Sequence, residues 1–285
     1  MYAITGVTGN TGAIVADTLL AAGQPVRVVV RDAARAASWR ARGAEVAVAA
    51  LEDTAALTAA LRGVAGAYLL VPPRLGAADP LADNRAVVAS LAAAARDAGL
   101  PHAVLLSSVG AQHADGTGPI RSLHHAEQAL AQVTALTALR AAYFMDNWVA
   151  VLGAVAQGML PTFVPPGISF PMVATRDIGR SAAAALVEGP HGRRVIELGG
   201  PRDYSAADVA AALSALTGQP VTATAAPLDA VVPTFTGFGM SIAVAELFRE
   251  MYAGIASGRV AWEGGAAQAV RGSVPIEEVV RGRLS

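Results

Sequence analysis

The sequence predicts an α/β protein with a doubly wound parallel sheet and a smaller, mostly helical C-terminal subdomain. Two observations in the 285-residue chain predict this fold class. Short runs rich in β-branched residues alternate with alanine-rich helical stretches throughout the first half. The strand-like runs are almost entirely apolar, which is typical of parallel strands that are covered by helices on both faces of a sheet.

The first half contains five predicted strands separated by four helices. In chain order, the strands are YAIT, PVRVVV, AEVAVA, GAYLLV and HAVLLSS, and the helices cover residues 12–22, 33–42, 54–61 and 81–98. Glycine follows each of the first three helices, and Asp53 or Thr54 is predicted to cap the third. Helices placed between consecutive strands indicate parallel crossover connections.

The second half is less regular. The run LTALRAAYFMDN predicts a sixth strand that leads into a loop, and RVIELGG predicts a further strand. Asp177 and Ser205 are predicted to cap two apolar helices. From Pro227 on, helices interrupted by proline and glycine predict a subdomain above the carboxyl edge of the sheet. We therefore predict a sheet domain at residues 1–150 and a subdomain at 151–285, from which some segments return to the main sheet.

The composition excludes several kinds of function. A formal net charge of -1 leaves no broad basic surface for nucleic acid. The chain has no cysteine, which excludes disulfides and thiolate metal sites, and its histidines lack metal-ligand spacing. All 21 of its lysine-plus-arginine residues are arginine, so Schiff-base catalysis and a Tyr-x-x-x-Lys proton relay are excluded as well.

Nothing in the sequence indicates export or a membrane span. The chain starts MYAITG, where a strand and a glycine loop occupy the place of a signal peptide. Residues 147–175 carry no charge, but Pro161, Pro165, Pro166, Gly167 and Pro171 interrupt them, so no apolar run of about 20 residues survives. We therefore expect a soluble, cytoplasmic protein that acts on a small molecule; its oligomeric state is not predicted.

A glycine-rich loop lies between the first strand and the first helix. Gly6, Gly9 and Gly12 have the spacing G-x-x-G-x-x-G. Glycine permits a tight turn there and lets backbone N–H groups and the helix N-terminus approach a pyrophosphate closely. The loop therefore predicts a dinucleotide site in a Rossmann-type domain.

Several short motifs in order resemble the NmrA-like branch of atypical short-chain dehydrogenases/reductases. They are GVTGNTG, VVVRD, LSSVGA, AEQAL, LRAAYFMDNW and TRDIG, and they cover roughly residues 1–200. The resemblance implies binding of NADP(H), with NAD(H) as the weaker alternative. It places Gly6, Thr8, Gly9, Asn10, Thr11 and Gly12 at the phosphates, Arg31 at the 2′-phosphate, Asp53 beside the adenine, and Val71 and Pro72 beside the ribose.

The residues also support Arg31 independently of the resemblance. Arg31 ends the second strand about 20 residues beyond the glycine loop, where the adenosine ribose is recognised. An arginine at this place favours a 2′-phosphate, whereas an acidic residue favours a free 2′-hydroxyl. Two alternatives stay open, because Asp32 could accept the 2′-hydroxyl or could pair with Arg31 at the surface.

The helix PIRSLHHAEQAL occupies the place where related reductases carry their tyrosine and lysine. A helical wheel places His124 and Glu127 on one side and His125 toward solvent. His124 is a candidate proton donor that Glu127 would orient. The alternative is a structural hydrogen bond between these two side chains.

Further candidates follow the fifth and sixth strands. Ser107 ends the fifth strand and is predicted to bind the substrate or the nicotinamide, or else the strand-end backbone. Tyr143 is a further candidate catalytic residue. By resemblance, Phe144, Asn147 and Trp148 line the substrate pocket, although such an aromatic cluster also suits a core. Arg140 is predicted to be structural.

These features predict an NADPH-dependent reductase that transfers hydride to a small apolar electrophile of the quinone, azo, enone or imine type. The alternative is a non-catalytic NADP(H)-binding redox sensor, since the NmrA-like family contains both kinds. An isomerase or epimerase is a weaker third possibility, because such relatives generally keep the tyrosine that this chain lacks.

Overall fold

The computed structural model describes residues 1–284, and its main feature is an eight-stranded parallel sheet. The strands of this sheet are β1 (Tyr2–Ile4), β2 (Val26–Val30), β3 (Glu45–Val48), β4 (Gly66–Leu69), β5 (His102–Ser108), β6 (Ala135–Ala141), β10 (Arg193–Gly199) and β13 (Gln268–Arg271). Two small sheets contain the others: β7 (Tyr143–Phe144), β9 (Phe170–Val173) and β11 (Asp203–Tyr204) in one, β8 (Met159–Thr162) and β12 (Thr222–Ala225) in the second.

Within residues 1–284, ten α-helices connect and cover these strands. They are α1 (Asn10–Ala21), α2 (Ala37–Ala41), α3 (Thr54–Leu61), α4 (Pro80–Ala98), α5 (Arg121–Leu130), α6 (Thr175–Glu188), α7 (Ala206–Thr217), α8 (Val231–Gly237), α9 (Ile242–Ala256) and α10 (Ile276–Leu284). Segments of 3₁₀ helix span Ala33–Ala36, Gly118–Ile120, Met145–Gln157 and Leu228–Ala230.

The strand order is β3-β2-β1-β4-β5-β6-β10-β13. The order runs one way from β1 to β3 and the other way from β4 onward, so a crevice forms between β1 and β4 at their carboxyl ends. Open α/β sheets bind their ligands at such a switch point. This topology confirms the predicted doubly wound sheet, and β10 and β13 are the later segments that return to it.

Two apolar layers cover the faces of the sheet. Val15 and Leu19 of α1 join Ile178 and Leu186 of α6 in one buried layer, and the other layer combines residues of α3, α4 and α5. A third cluster joins the 3₁₀ segment after β7 to α7, α9 and α10, and it forms the core of the C-terminal part. No helix within residues 1–284 is both long enough and apolar enough to span a membrane.

The predicted sixth strand is divided in two. β6 ends at Ala141, and the backbone N–H of Ala142 makes a last bond to Leu198 of β10. Tyr143 and Phe144 then pair with β9 in a different sheet. The chain therefore leaves the main sheet where its aromatic residues begin. Tyr143 and Trp148 pack into the C-terminal core, whereas Phe144 packs against the layer of α1 and α6.

Of the two caps predicted in the second half of the chain, the one at Ser205 is confirmed and the one at Asp177 is wrong. Ser205 and Asp208 form a reciprocal capping box at α7. Asp177, in contrast, lies inside the first turn of α6, and its carboxylate accepts the backbone N–H of Val274 at 2.9 Å. The carboxylate that binds the first N–H of α6 belongs to Asp146, which also accepts the hydroxyl of Thr175. Asp177 thus anchors the C-terminal segment instead of capping its own helix.

Candidate active site

The glycine loop follows β1 directly at the switch point. Gly6 has φ +67°, a conformation that favours glycine, and its carbonyl accepts the N–H of Gly9 at 2.9 Å. Gly9 is the N-cap of α1 and provides no side chain to bind the first-turn N–H groups. These groups have no intrahelical partner either, so they present donors and the positive end of the helix dipole to an anion.

The backbone around the loop is packed too closely for side chains at two of the glycines. A Cβ on Gly12 would lie 2.5 Å from the carbonyl of Gly6, and a Cβ on Gly6 would lie 2.4 Å from a methyl group of Leu70. A Cβ on Gly9 would meet its nearest atom at 3.5 Å, so Gly9 faces open space. The loop is therefore a cradle that a pyrophosphate fits and a side chain at Gly9 would fill.

The threonines and the asparagine of the loop differ in their exposure. Thr8 and Asn10 are exposed, whereas Thr11 is buried and accepts the Tyr68 hydroxyl at 2.9 Å. Burial raises the pKa of the Tyr68 phenol, and the bond to Thr11 opposes that rise. The Thr11 hydroxyl accepts this bond, so its own proton remains available to a further acceptor.

Three predicted residues lie at the carboxyl ends of β2 and β3. Arg31 is exposed directly after β2. Asp32 turns its carboxylate to the N–H of Ala34 at 2.9 Å and caps the following 3₁₀ helix, so it does not pair with Arg31. Asp53 caps α3 by accepting the N–H of Ala56 at 3.0 Å, as its position in the sequence predicts.

A cavity of about 350 Å³ lies at the carboxyl edge of the sheet. Its walls come from the ends of β4, β5 and β6, the start of α5, the 3₁₀ segment after β7, and α9. The lining residues include Val71, Pro72, Pro73, Leu106, Ser107, Val109, Ile120, Leu123, Tyr143, Phe144, Asn147, Phe170, Phe248, Met251 and Ile255. The wall is mostly apolar with a few polar groups, which is the usual character of a small-molecule site.

A buried charged network supports the cavity from behind. Both carboxylate oxygens of Glu127 accept hydrogen bonds from the guanidinium of Arg140, at 2.8 and 2.7 Å. The hydroxyl of Ser107 donates to the same carboxylate at 2.6 Å. Burial alone would lower the pKa of Arg140, but hydrogen bonds and charge from Glu127 and Glu263 raise it. Arg140 is therefore structural, as predicted, and the proton of Ser107 is directed away from the cavity.

The predicted contact between His124 and Glu127 is wrong. Glu127 is 1% exposed and is occupied by Arg140 and Ser107, because α5 turns it toward β5 and β6 and not along its own surface. His124 uses Nδ1 to donate to the carbonyl of Ala111 at 2.8 Å. Its ring is not part of the cavity wall, while His125 is exposed as predicted.

The aromatic segment after β6 is shared between the cavity and the core. Tyr143, Phe144 and Asn147 line the cavity, whereas Trp148 lies behind it and donates its indole N–H to Met172 at 3.4 Å. Burial raises the pKa of the Tyr143 phenol, and hydrogen bonds with Tyr252 and Asn147 partly oppose that rise. Tyr143 thus remains a protonated phenol at neutral pH.

Two polar residues of the cavity wall are absent from the sequence-based prediction. Asn84 of α4 donates its amide N–H to the hydroxyl of Ser122 in α5 at 3.1 Å, and both side chains are buried. Neither residue lies in a motif, and they are 38 positions apart. The available signal is an asparagine inside an alanine-rich helix, where asparagine is unfavourable.

The fold and this site define a dinucleotide-binding α/β protein with an apolar small-molecule pocket. The model of the NmrA-like family matches residues 2–260, and the chain belongs to this family. Among curated proteins, an NAD(P)H azoreductase from Xenophilus azovorans is 32% identical, over 89% of this chain and 86% of its own length. Quinone oxidoreductase 2 of Escherichia coli is 30% identical, over 78% of this chain and 76% of its own length.

Solved structures show the same fold along the whole chain. The NADPH-dependent quinone oxidoreductase of Escherichia coli, complexed with NADPH, has a TM-score of 0.84 at 24% identity and covers 100% of both chains. The Citrobacter sp. triphenylmethane reductase complexed with NADP(H) has a TM-score of 0.82 at 22% identity, covering 99% of this chain and 100% of its own.

Proposed function

We propose that this protein is an NADPH-dependent reductase that acts on a small, largely apolar electrophile of the quinone, azo, enone or imine type. The observation that carries the proposal is the apolar cavity at the ends of β4, β5 and β6, next to the strand that bears the glycine loop. A dinucleotide laid across the switch point extends toward this cavity. When bound, NADPH would supply the hydride.

The relatives favour a reductase over a redox sensor. Three curated relatives at 30% identity or more are named an NAD(P)H azoreductase, a quinone oxidoreductase and a (4-alkanoyl-5-oxo-2,5-dihydrofuran-3-yl)methyl phosphate reductase. A pocket lined by Tyr143, Phe144 and Phe170 suits planar conjugated acceptors such as quinones and azo compounds.

The glycine loop and Arg31 hold the cofactor in this proposal. First-turn N–H groups of α1 bind the pyrophosphate, and Gly9 leaves room for it. The exposed guanidinium of Arg31 binds the 2′-phosphate, while Asp32 is turned away toward its own helix. Asp53, Val71 and Pro72 lie along the same edge and flank the adenosine and the ribose.

Two residues of the cavity wall interact with the reacting groups. Tyr143 is a neutral phenol that donates a hydrogen bond to the oxygen or nitrogen that gains charge. The Ser107 hydroxyl donates its hydrogen bond to Glu127, so toward the cavity it can only accept a hydrogen bond, from an amide or a water. We place His124 second to Tyr143 as proton donor, because its Nδ1–H is bound to Ala111 outside the cavity wall.

Steady-state NADPH oxidation with a panel of quinones and azo dyes tests the proposal. Turnover is expected with at least one acceptor, and Tyr143→Phe should lower kcat by about 100-fold, the low end for a positioned acid, since a reduced quinone also takes protons from water. His124→Ala should retain most of kcat, and His125→Ala is the surface control. Tight NADPH binding without turnover on any acceptor would instead identify a sensor.

A further inference from the structure

Asn84 and Ser122 form a polar pair in the otherwise apolar wall of the cavity. The amide N–H of Asn84 donates to the Ser122 hydroxyl at 3.1 Å, and the two side chains line the cavity where α4 and α5 meet. Asn84 is 9% exposed and Ser122 is 7% exposed, so both side chains are buried. The hydroxyl of Ser122 accepts this bond, so its own proton remains available to a further acceptor.

The carbonyl oxygen of the Asn84 side chain lacks a partner. It is buried and has no hydrogen bond anywhere in the part of the chain that the structure describes. A buried carbonyl without a partner destabilises a protein, so native structures nearly always satisfy such groups with protein, water or ligand. The pair therefore presents one free acceptor and one free donor side by side.

A purely structural role does not account for this arrangement. Apolar residues dominate the packing of α4 against α5, with Val87, Val88 and Leu91 in the same cluster as Ala126 and Leu130. The other buried polar side chains of these helices have partners, since Ser90 bonds to Thr54 and Glu127 to Arg140. An apolar residue in place of Asn84 would continue that packing without an unpaired carbonyl. A bond that only joined the two helices would also have no reason to face a ligand-sized cavity.

We propose that the Asn84–Ser122 pair selects acceptors that carry a hydroxyl group on an aromatic ring. Such a hydroxyl donates to the Asn84 carbonyl and accepts from the Ser122 hydroxyl, so both free groups are satisfied at once. The apolar walls around the pair, including Phe248 and Met251, cover the ring. The inference rests on the proposed function, since it names the substrate class of the same cavity.

Equilibrium binding of para-hydroxyazobenzene and its methyl ether to the protein saturated with NADP⁺ tests the pair without turnover. Wild type should bind the phenol about 10-fold more tightly, because the ether cannot donate to Asn84. Asn84→Leu and Ser122→Ala should each bring the two affinities close together. Ser90→Ala is the matched control, because Ser90 is buried on the same helix but bonds to Thr54.

Three outcomes would overturn the proposal. Wild type could bind both dyes equally, or Ser122→Ala and Asn84→Leu could both keep the preference. Alternatively, both variants could weaken NADP⁺ itself and leave the ratio of dye affinities unchanged, which would assign the pair to the nicotinamide carboxamide. Failure of NADPH oxidation with every acceptor would contradict the proposed function alone, because the binding ratio is measured without reduction.

Discussion

The glycine loop and the cavity lie at the same edge of the sheet but are constructed in different ways. The loop is one continuous segment whose binding groups are backbone N–H donors and the end of α1. The cavity consists of side chains from positions as distant as 71 and 260. A backbone site tolerates changes in side chains but not the addition of a Cβ, whereas a side-chain site depends on every residue that holds its walls.

The largest effect is expected behind the cavity, at Arg140. Its side chain links β6 to Glu127 of α5 and to Glu263, which lies shortly before β13. Arg140→Met leaves the carboxylate of Glu127 buried without its charged partner, which typically costs about 3–5 kcal/mol. Urea denaturation should show that loss in the free energy of unfolding. The double variant Arg140→Met with Glu127→Leu should recover much of it, since a buried ion pair can be replaced by apolar groups at little cost.

An Arg140→Met loss below about 1 kcal/mol would show that the cavity side does not depend on this network. The same would follow if the double variant were no more stable than the single one.

The second-largest effect is expected in the glycine loop, whose binding groups are backbone N–H donors. Gly9→Val places a branched side chain in the open space over the first turn of α1, so NADPH affinity should fall by about 100-fold or more as charge-assisted bonds to the pyrophosphate are lost. Isothermal titration measures that affinity. Thermal stability should change little, because the nearest atom to a Cβ there is 3.5 Å away.

Gly167→Val is the matched control, since a Cβ at this exposed glycine meets nothing within 4 Å and lies outside the loop. Unchanged NADPH affinity in a folded Gly9→Val protein would exclude the loop as the dinucleotide site. Gly12→Val should instead destabilise the fold, because its Cβ would lie 2.5 Å from the Gly6 carbonyl.

This contrast explains which parts could be predicted from sequence. The strand–loop–helix around Gly6 and the helix cap at Ser205 depend on neighbours in the chain, so local patterns predict them correctly. The prediction that Asp177 caps its own helix is wrong, because its carboxylate binds the N–H of Val274, which is 97 residues away. A local sequence pattern indicates which residue could cap a helix. It does not show that a distant backbone group competes for the same carboxylate.

The wall of the cavity was predicted only in part for the same reason. A helical wheel placed His124 and Glu127 on one side of α5, but a wheel does not show that Arg140 of β6 lies across from Glu127. Likewise, Asn84 and Ser122 become neighbours only when α4 packs on α5. The resemblance to the family predicts Trp148 in the pocket, whereas the 3₁₀ turn points its side chain into the core.

The third effect concerns cofactor choice at the edge of the loop. Arg31→Ala should weaken NADPH by roughly 10- to 100-fold and leave NADH almost unchanged, because one exposed guanidinium supplies two charge-assisted bonds to the 2′-phosphate. Dissociation constants for both cofactors at low and high salt measure it, and salt should reduce the size of the effect. Arg35→Ala, an exposed arginine on the adjacent 3₁₀ turn, is the control. Equal loss of both cofactors would contradict this role of Arg31.

The smallest effect is expected at the opposite, amino-terminal end of the strands that carry the cavity. His102 begins β5 fully buried, with Nε2 bonded to Thr137 at 3.0 Å and Nδ1 without a partner within residues 1–284. Burial lowers the pKa of His102, and the nearby charges of His191 and Arg194 lower it further, while Glu188 acts in the opposite direction.

Because the folded pKa of His102 lies below the unfolded value of about 6.5, the unfolded chain takes up the proton first. The free energy of unfolding should therefore decrease as pH falls below about 6.5, by at most about 1.4 kcal/mol per pH unit from this group, until the folded pKa is reached. Above neutral pH the contribution is constant. Urea denaturation between pH 7 and 5 measures the slope, which His102→Gln should reduce and the surface variant His125→Gln should not. An identical slope in His102→Gln would assign the acid sensitivity to other groups, whereas a reduced slope with unchanged NADPH affinity would show that the amino-terminal edge affects stability and not the site.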